Sequence, residues 1–231
     1  MAADEDMQNS YHDLNTFIDH TALKAHTTRR EIEELCRETQ MYNFASVCVN
    51  SSWVPLCAKL MQDSKIPVCT VVGFPLGSAL SKAKAEEARL AHELGAQEID
   101  MVLNVGRLRS GEFDAVREDI AAVVQASGSS HVKVILETCW LNDEEKAQAC
   151  QLAMEAGAHY VKTSTGFGAG GATVQDVALM RRVVGSKLGV KASGGIRCRE
   201  DAIKMIEAGA SRLGTSAGIA IVAATETGNA A

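Results

Sequence analysis

Three segments of the 231-residue chain repeat one local pattern, and this repeat constrains the fold more than any other feature of the sequence. Each segment reads Glu-x-Gly-Ala and then runs into a short apolar stretch, at residues 93–100, 155–162 and 207–214. A glycine and an alanine in this place are typical of a helix end that is followed by a strand. The final residues of the segments, Asp100, Lys162 and Gly214, should therefore occupy equivalent positions on three different strands.

Short apolar stretches and helical stretches alternate along the chain. Strands are predicted at residues 17–21, 45–50, 67–74, 98–104, 131–137, 160–165, 189–193 and 212–216. Helices with recognisable ends are predicted at residues 28–39, 81–94, 111–125, 142–156, 173–184 and 199–208. Three of them begin with a capping pattern, in which Thr28, Asn142 or Thr173 is followed by an acidic residue three positions later.

Late positions in the eight strands recur about every 28 residues, which is close to the length of one unit of a (β/α)₈ barrel. An open doubly wound sheet is the rival, because both folds bury apolar parallel strands on two faces. The count of eight strands favours a closed barrel. The predicted fold class is thus α/β, a single (β/α)₈ TIM barrel at residues 11–222, with flexible tails at residues 1–10 and 223–231.

Two lysines and an acid are predicted to meet inside this barrel. Alternate strands contribute side chains to the same interior layer, so Asp100 and Lys162 should face one another. Lys191 lies on the next strand, where a second ammonium would repel the first, so one of the two amines should be neutral. A neutral amine attacks carbonyl carbon, and this arrangement indicates Schiff-base chemistry. Purely structural ion pairs remain the alternative.

Three loops after the last strands are rich in small residues, at 166–171, 194–195 and 214–218. Phosphate sites in barrels commonly form from such loops together with the N-terminus of a short helix. The hydroxyl of Ser216 and the backbone N–H groups of Gly194, Gly195 and Gly214 are the predicted donors.

The composition narrows the classes of function. The net charge is −6 with no lysine/arginine block, so no nucleic-acid partner is expected, and 46% hydrophobic residues are ordinary for a soluble protein without a membrane partner. Seven cysteines without C-x-x-C spacing predict free thiols in a reducing, cytoplasmic location, and the acidic start is unlike a signal peptide. Six histidines lack metal-ligand spacing, so neither a catalytic metal nor another cofactor is expected.

With these residues in view, the chain resembles the deoxyribose-phosphate aldolases, class I aldolases of the (β/α)₈ type, from about residue 14 to residue 221. The matching motifs are Ile-Asp-His-Thr at 18–21, Ser-Val-Cys-Val at 46–49, Gly-Phe-Pro-Leu-Gly at 73–77, Glu-Ile-Asp at 98–100, Lys-Val-Ile-Leu-Glu-Thr at 133–138, Val-Lys-Thr-Ser-Thr-Gly-Phe at 161–167 and Lys-Ala-Ser-Gly-Gly-Ile-Arg at 191–197. The lysine followed by Thr-Ser-Thr-Gly is highly specific to the family.

The resemblance implies reversible cleavage of 2-deoxy-D-ribose 5-phosphate to D-glyceraldehyde 3-phosphate and acetaldehyde, in deoxyribonucleotide catabolism, without a metal. By match of motif, Lys162 would form the Schiff base. Asp100 and Lys191 would donate and accept protons, and Lys191 would also favour the neutral form of the Lys162 amine. A homodimer or larger homo-oligomer is implied as well. Another phosphate-binding barrel aldolase or isomerase, and a non-catalytic sugar-phosphate sensor, remain the alternative functions.

Further positions match the family's substrate region, namely Asp19, Cys48, Thr163 and Gly166. Asp19 is equally well explained as a structural acid at a strand end, and Cys48 as a small buried hydrophobe. Lys24 and Arg197 should stand near the mouth, although either is also explained as solvated surface charge. Some members of the family carry a lysine where this chain has Phe167, so phosphate charge would rest more on backbone donors.

Overall fold

The computed structural model describes residues 13–223. Both predicted tails lie outside the described residues, except that Ala223 ends the last helix instead of beginning a tail. Residues 11 and 12, the first two residues of the predicted barrel, also lie outside the described residues.

Eight parallel strands close into a barrel in which each strand pairs with the next along the chain and β8 pairs with β1. This confirms the predicted (β/α)₈ TIM barrel and excludes the open sheet. The strands are β1 (Ile18–Ala22), β2 (Ser46–Val49), β3 (Val68–Val72), β4 (Glu98–Val102), β5 (His131–Ile135), β6 (Tyr160–Lys162), β7 (Gly189–Ser193) and β8 (Arg212–Thr215).

Helices connect the strands on the outside of the barrel. They are α1 (Arg29–Met41), α2 (Val54–Met61), α3 (Ser81–Glu93), α4 (Val105–Arg109), α5 (Phe113–Ala126), α6 (Asp143–Glu155), α7 (Val174–Val184), α8 (Arg199–Glu207) and α9 (Gly218–Ala223), with 3₁₀ turns at Leu14–Phe17, Ser51–Trp53 and Thr138–Trp140. No helix among residues 13–223 is long and apolar enough to cross a membrane.

The predicted helix signals act as expected. Thr28 and Asn142 each form a complete capping box, and the Thr173 side chain accepts the backbone N–H of Asp176. At the other ends, the glycines of the three repeats follow α3, α6 and α8 with φ of 108°, 81° and 109°. Side chains other than glycine rarely adopt this backbone conformation, so the glycines end the helices and turn the chain toward the next strand.

Helix α2 is missing from the sequence-based prediction, as are the short helices α4 and α9. The signals for α2 are present, since Pro55 lies in its first turn and Val54, Cys57 and Met61 form its buried face. With only eight residues, the helix gives little periodicity for a sequence-based interpretation.

The apolar core lies between the strands and the surrounding helices. In β5, for example, Val132 and Val134 belong to one buried cluster with Ile120 and Val123 of α5. Successive strand residues point to opposite faces, so Lys133 points into the barrel. The same alternation brings charged side chains of several strands into the barrel interior, where a barrel of this type usually packs branched apolar residues.

Candidate active site

Asp100 connects the two predicted lysines. Lys162, the last residue of β6, is the register partner of Lys191 in β7. The Nζ atoms of Lys162 and Lys191 lie 2.8 Å and 2.7 Å from the same oxygen of Asp100, Oδ2. The predicted meeting of Asp100 with Lys162 inside the barrel is therefore observed.

The pKa values of these buried groups follow from their partners. Burial alone would raise the pKa of Asp100, but the ammonium groups of Lys133, Lys162 and Lys191 outweigh it and hold that pKa well below its ordinary value. Burial alone would likewise lower the pKa of Lys191, but the carboxylates of Asp100 and Asp19 raise it above the ordinary value. The site thus holds Asp100 as a carboxylate and Lys191 as an ammonium.

Six side chains form a closed cycle of alternating charge beneath Lys162, which we call the charge ring. In order around the cycle, its members are Lys191, Asp100, Lys133, Glu98, Arg212 and Asp19. Successive nitrogen–oxygen distances are 2.7 Å (Lys191–Asp100), 2.9 Å (Asp100–Lys133), 2.5 Å (Lys133–Glu98), 3.2 Å (Glu98–Arg212) and 2.7 Å (Arg212–Asp19), and an Asp19–Lys191 contact closes the cycle. Lys162 lies outside the ring and joins it only through Asp100.

A cavity of about 630 Å³ opens above Lys162 at the carboxyl ends of the strands. Catalytic sites of (β/α)₈ barrels lie at this end. Four lysines among the described residues are buried, and of these Lys162 alone lines the cavity. Asp100 and Lys191 are fully buried below it. Only one of the three clustered groups is therefore placed to touch a molecule in the cavity.

Glu137 holds the loop that follows Lys162. Its side chain accepts the backbone N–H of Thr165 at 3.2 Å and contacts the Thr165 hydroxyl, which in turn accepts the N–H of Phe167 at 3.0 Å. Glu137 adopts φ of 56°, which is uncommon for a residue other than glycine and often marks a functional site. The Phe167 ring packs edge-on against Phe74, so this side of the mouth is aromatic rather than cationic.

Comparison with known proteins agrees with this geometry. The model of the DeoC/LacD family of aldolases matches residues 14–224. The chain belongs to this aldolase family.

Individual relatives are similar to this aldolase over most of their length. Deoxyribose-phosphate aldolases from Streptococcus suis and Brevibacillus brevis are 59% and 57% identical, over 90% and 93% of this chain and 95% and 97% of theirs. A solved structure described as a unique tetrameric deoxyribose phosphate aldolase from Aeropyrum pernix superimposes with a TM-score of 0.87. It is 32% identical and covers 94% of this chain and 92% of its own.

The predicted substrate-binding residues of the aldolase divide into two groups. Gly166, Gly194, Gly195, Gly214 and Ser216 line the cavity, as do Lys24 and Arg197 at its exposed rim. The others lie below the cavity and are completely buried, namely Asp19, Cys48 and Thr163. None of these three lines the cavity, and their predicted contact with substrate stays a prediction.

The buried residues have other partners. Asp19 is a member of the charge ring, and the Thr163 hydroxyl donates to the carbonyl of Ser193 and accepts its N–H, each at 3.1 Å. Cys48 is the register partner of Cys69, whose hydrogen bond lowers the pKa of the Cys48 thiol. We infer that these side chains shape the floor of the site.

Gly214 makes room for Lys191. A Cβ atom at Gly214 would lie 3.0 Å from both Lys191 Cε and Ser193 Cβ. This is tighter than nine in ten real Cβ contacts, so with a larger residue at this position Lys191 or Ser193 would have to shift by a few tenths of an ångström. Gly214 thus has a packing role that the sequence analysis, which saw in it a phosphate donor, did not find.

Two groups of side chains have the donor atoms and spacing of a metal site, Cys48 with Cys69 and Asp100, and Asp19 with Cys69 and Glu98. The carboxylates of both groups already contact the three lysines and the arginine of the cluster. A divalent cation would have to enter among four positive side chains, which electrostatic repulsion opposes. The donor set therefore fits a metal poorly.

The sequence analysis missed Lys133, Glu98, Arg212 and Glu137. Lys133 was detectable, because it stands alone between valines in a strand that reads as buried. Its pKa is raised well above the ordinary value, since the opposing effect of burial is outweighed by Asp100, Cys69, Glu98 and Asp19. Nothing in the local sequence indicates that Glu98 and Arg212, from β4 and β8, meet across the barrel.

Proposed function

We propose that this aldolase reversibly cleaves 2-deoxy-D-ribose 5-phosphate to D-glyceraldehyde 3-phosphate and acetaldehyde through a Schiff base at Lys162. The observation that carries the proposal is that Lys162 is the one buried lysine, among residues 13–223, that lines the cavity. The names of the relatives from Streptococcus suis, Brevibacillus brevis and Aeropyrum pernix support the substrate. A cavity of about 630 Å³ also suits a small sugar phosphate.

The reaction begins at the Nζ atom of Lys162. The neutral amine attacks the aldehyde carbon of the open-chain sugar, and loss of water gives an iminium ion. Deprotonation of the 3-hydroxyl then breaks the bond between carbons 2 and 3, and the iminium accepts the electron pair. Glyceraldehyde 3-phosphate leaves. Protonation of the remaining enamine at carbon 2, followed by hydrolysis, releases acetaldehyde and restores the amine.

Asp100 and Lys191 exchange protons with the reacting groups. Both are buried below the cavity, so protons reach them through the Lys162 nitrogen or through a water molecule. The shared contact with Asp100 Oδ2 supports this route, because a proton leaving Lys162 finds an acceptor at 2.8 Å. The charge on Lys191 also disfavours a second ammonium beside it.

The phosphate is bound by the loops after β7 and β8, together with Lys24 of the loop after β1. Gly194 and Gly195, the hydroxyl of Ser216 and the side chains of Lys24 and Arg197 all line the rim of the cavity. Lys24 and Arg197 supply positive charge to the phosphate, while the ring of Phe167, which also lines the cavity, borders the sugar carbons. The position of Phe167 thus makes the two rim cations the main charged partners of the phosphate.

Trapping of the Schiff base tests the proposal. Reduction with borohydride in the presence of acetaldehyde should leave an ethyl group on Lys162, identified by peptide mass spectrometry, and none on the Lys162→Leu variant. The unmodified protein should release acetaldehyde from 2-deoxyribose 5-phosphate, which separates it from isomerases and from a sensor. If no adduct formed and Lys162→Leu still cleaved the sugar, the proposal would be wrong.

We also infer a homodimer or larger homo-oligomer in a cytoplasmic location. The tetramer named for the Aeropyrum pernix relative supports assembly, and light scattering on the purified protein tests it. The seven cysteines are all free thiols, which supports a reducing compartment.

A further inference from the structure

The charge ring balances its own charge without Lys162. Its cations are Lys133, Lys191 and Arg212, and its anions are Asp19, Glu98 and Asp100. The three lysines and three carboxylates of the whole cluster are at least nine-tenths buried. Among the described acidic residues, Lys162 contacts only Asp100, which already pairs with Lys133 and Lys191. A proton on Lys162 would therefore give the buried cluster a net positive charge, which is costly.

Tyr160, the first residue of β6, packs against the base of the ring. The centre of its aromatic ring lies 5.9 Å from Lys133 Nζ and 5.7 Å from Arg212 Cζ. A Cβ atom at Gly189 would come within 2.1 Å of two Tyr160 ring carbons, so glycine is needed there for the ring to fit. Because the lysines and carboxylates of the ring are buried, a change of one charge among them is weakly screened at Lys162.

We propose that Lys133 and Glu98 are positioning residues that control the proton on Lys162 by balancing the charge ring, although neither lines the cavity. The proposal rests on the proposed function, because it assigns to these residues the task of keeping the Schiff-base amine neutral. Lys133 also holds Asp100 Oδ1 at 2.9 Å, which leaves Oδ2 to the reacting lysines.

Besides Tyr160 of β6, six further side chains present titratable or charged groups to this cluster. These groups are Asp19 of β1, Cys48 of β2, Cys69 of β3, Asp100 of β4, Lys191 of β7 and Arg212 of β8. Burial raises the pKa of the Cys69 thiol, together with the Cys48 hydrogen bond, so Cys69 remains neutral. None of these groups changes in the variants below, so Lys133→Met, Glu98→Gln and their double variant differ from the unmodified protein by the charge of Lys133, of Glu98 or of both.

The two residues should have opposite effects. In Lys133→Met the ring has one excess negative charge, which favours the protonated amine. The midpoint of the pH profile for trapping Lys162 with acetaldehyde and borohydride should then rise by about one pH unit. In Glu98→Gln the ring has one excess positive charge, and the midpoint should fall by about one pH unit. The double variant is balanced and should return toward the unmodified midpoint, as should Lys133→Arg.

Lys84 supplies a matched control. It is as buried as Lys133 and pairs with Asp119 at 2.6 Å, but it lies outside the ring. Lys84→Met should lose stability and leave the midpoint of the trapping profile unchanged. Circular dichroism establishes that each variant is folded. If Lys133→Met does not fold, Glu98→Gln and the double variant still differ by one positive charge and carry the test.

The outcomes separate this inference from the proposed function. Opposite shifts that cancel in the double variant support charge balancing, because a merely structural role of Lys133 and Glu98 gives no such change of sign. If the variants fold and the midpoints of their trapping profiles do not shift, or shift in the same direction, the charge-balancing inference is overturned. Failure to trap Lys162 in the unmodified protein at any pH instead overturns the proposed function.

Discussion

Asp100 is the residue on which the three interior lysines converge. Its Oδ2 atom faces Lys162 and Lys191, and its Oδ1 atom faces Lys133 and the Cys69 thiol. A carboxylate with four donors has few free orientations, so the positions of the amines follow from it. At the scale of single residues, the site therefore depends on groups that reach no substrate themselves.

Loss of Lys191 should reduce catalysis while the protein stays folded. Lys191→Leu removes the ammonium beside Lys162, while Arg212 and Lys133 still pair with Asp19 and Asp100. We expect turnover to fall by about 10² to 10⁴, the usual range for a group that transfers a proton. Steady-state cleavage of 2-deoxyribose 5-phosphate, with circular dichroism as the check on folding, measures this. Near-normal turnover would remove Lys191 from the mechanism.

A single methyl group at Gly214 should also reduce turnover, because it disturbs the Lys191 side chain. Gly214→Ala places Cβ 3.0 Å from Lys191 Cε and from Ser193 Cβ, and a shift of the Lys191 side chain by a few tenths of an ångström lengthens its contacts with Asp100 and Asp19. We expect turnover to fall about tenfold or more, as overpacking of a buried site costs about 1–3 kcal/mol.

Gly106→Ala is the control for this change. The nearest atom to a Cβ at Gly106 in α4 is 3.6 Å away, which is ordinary contact, so activity should be unchanged. Equal activity of Gly214→Ala and Gly106→Ala would contradict the packing role of Gly214.

At the scale of elements, the loop after β6 depends on one hydroxyl group. Thr165 connects Glu137 to the backbone of Phe167, and both Thr165 and Phe167 line the cavity. Thr165→Val leaves the buried Glu137 carboxylate without that hydroxyl donor. We expect KM to rise about tenfold, because a hydrogen bond to a charged group contributes about 1.5–3 kcal/mol.

Thr138→Val is the matched control for Thr165→Val. The hydroxyl of Thr138 is also buried, at the neighbouring loop after β5, and has no hydrogen-bond partner among the described residues. Its removal should leave KM unchanged. KM is measured for both variants from the dependence of the rate on substrate concentration. A larger rise in KM for Thr138→Val than for Thr165→Val would exclude the role of Thr165.

At the scale of the whole molecule, the charge ring makes stability depend on pH at both extremes. Asp19 and Asp100 have lowered pKa values in the fold, so their contribution is present above about pH 3.9, the ordinary value, and is lost as the pH falls further. Lys133 and Lys191 have raised pKa values, so their contribution is present below about pH 10.4 and is lost above it.

Urea unfolding between pH 3 and pH 11 measures this dependence. We expect the free energy of unfolding to be nearly constant from about pH 5 to pH 9 and to fall on either side. Asp100→Asn should fall less steeply below pH 4 than the unmodified protein, because it has lost one of the titrating groups. A free energy that increases as the pH falls from 5 to 3 would contradict the assigned directions.

Local signals were enough to establish the barrel and its reactive pair. The eight apolar strands, three glycine stops and three capping residues each depend only on neighbours along the chain. The three repeats put Asp100 and Lys162 at the same position of alternate strands, which in a closed barrel brings them face to face. Helix α2 could not be predicted in this way, because eight residues are too few to show the period of a helix.

The tertiary structure alone decided the rest of the site. Alternation along a strand tells which face a side chain lies on, but its depth relative to other strands depends on the stagger of the closed barrel. Arg212 could therefore not be matched to Asp19 or Glu98 from sequence, and the charge ring could not be foreseen. For the same reason the sequence did not show that Asp19, Cys48 and Thr163 lie below the cavity. The sequence by itself determined the barrel and the pairing of Asp100 with Lys162; the depth of each side chain, and with it the charge ring, was decided by the closed barrel.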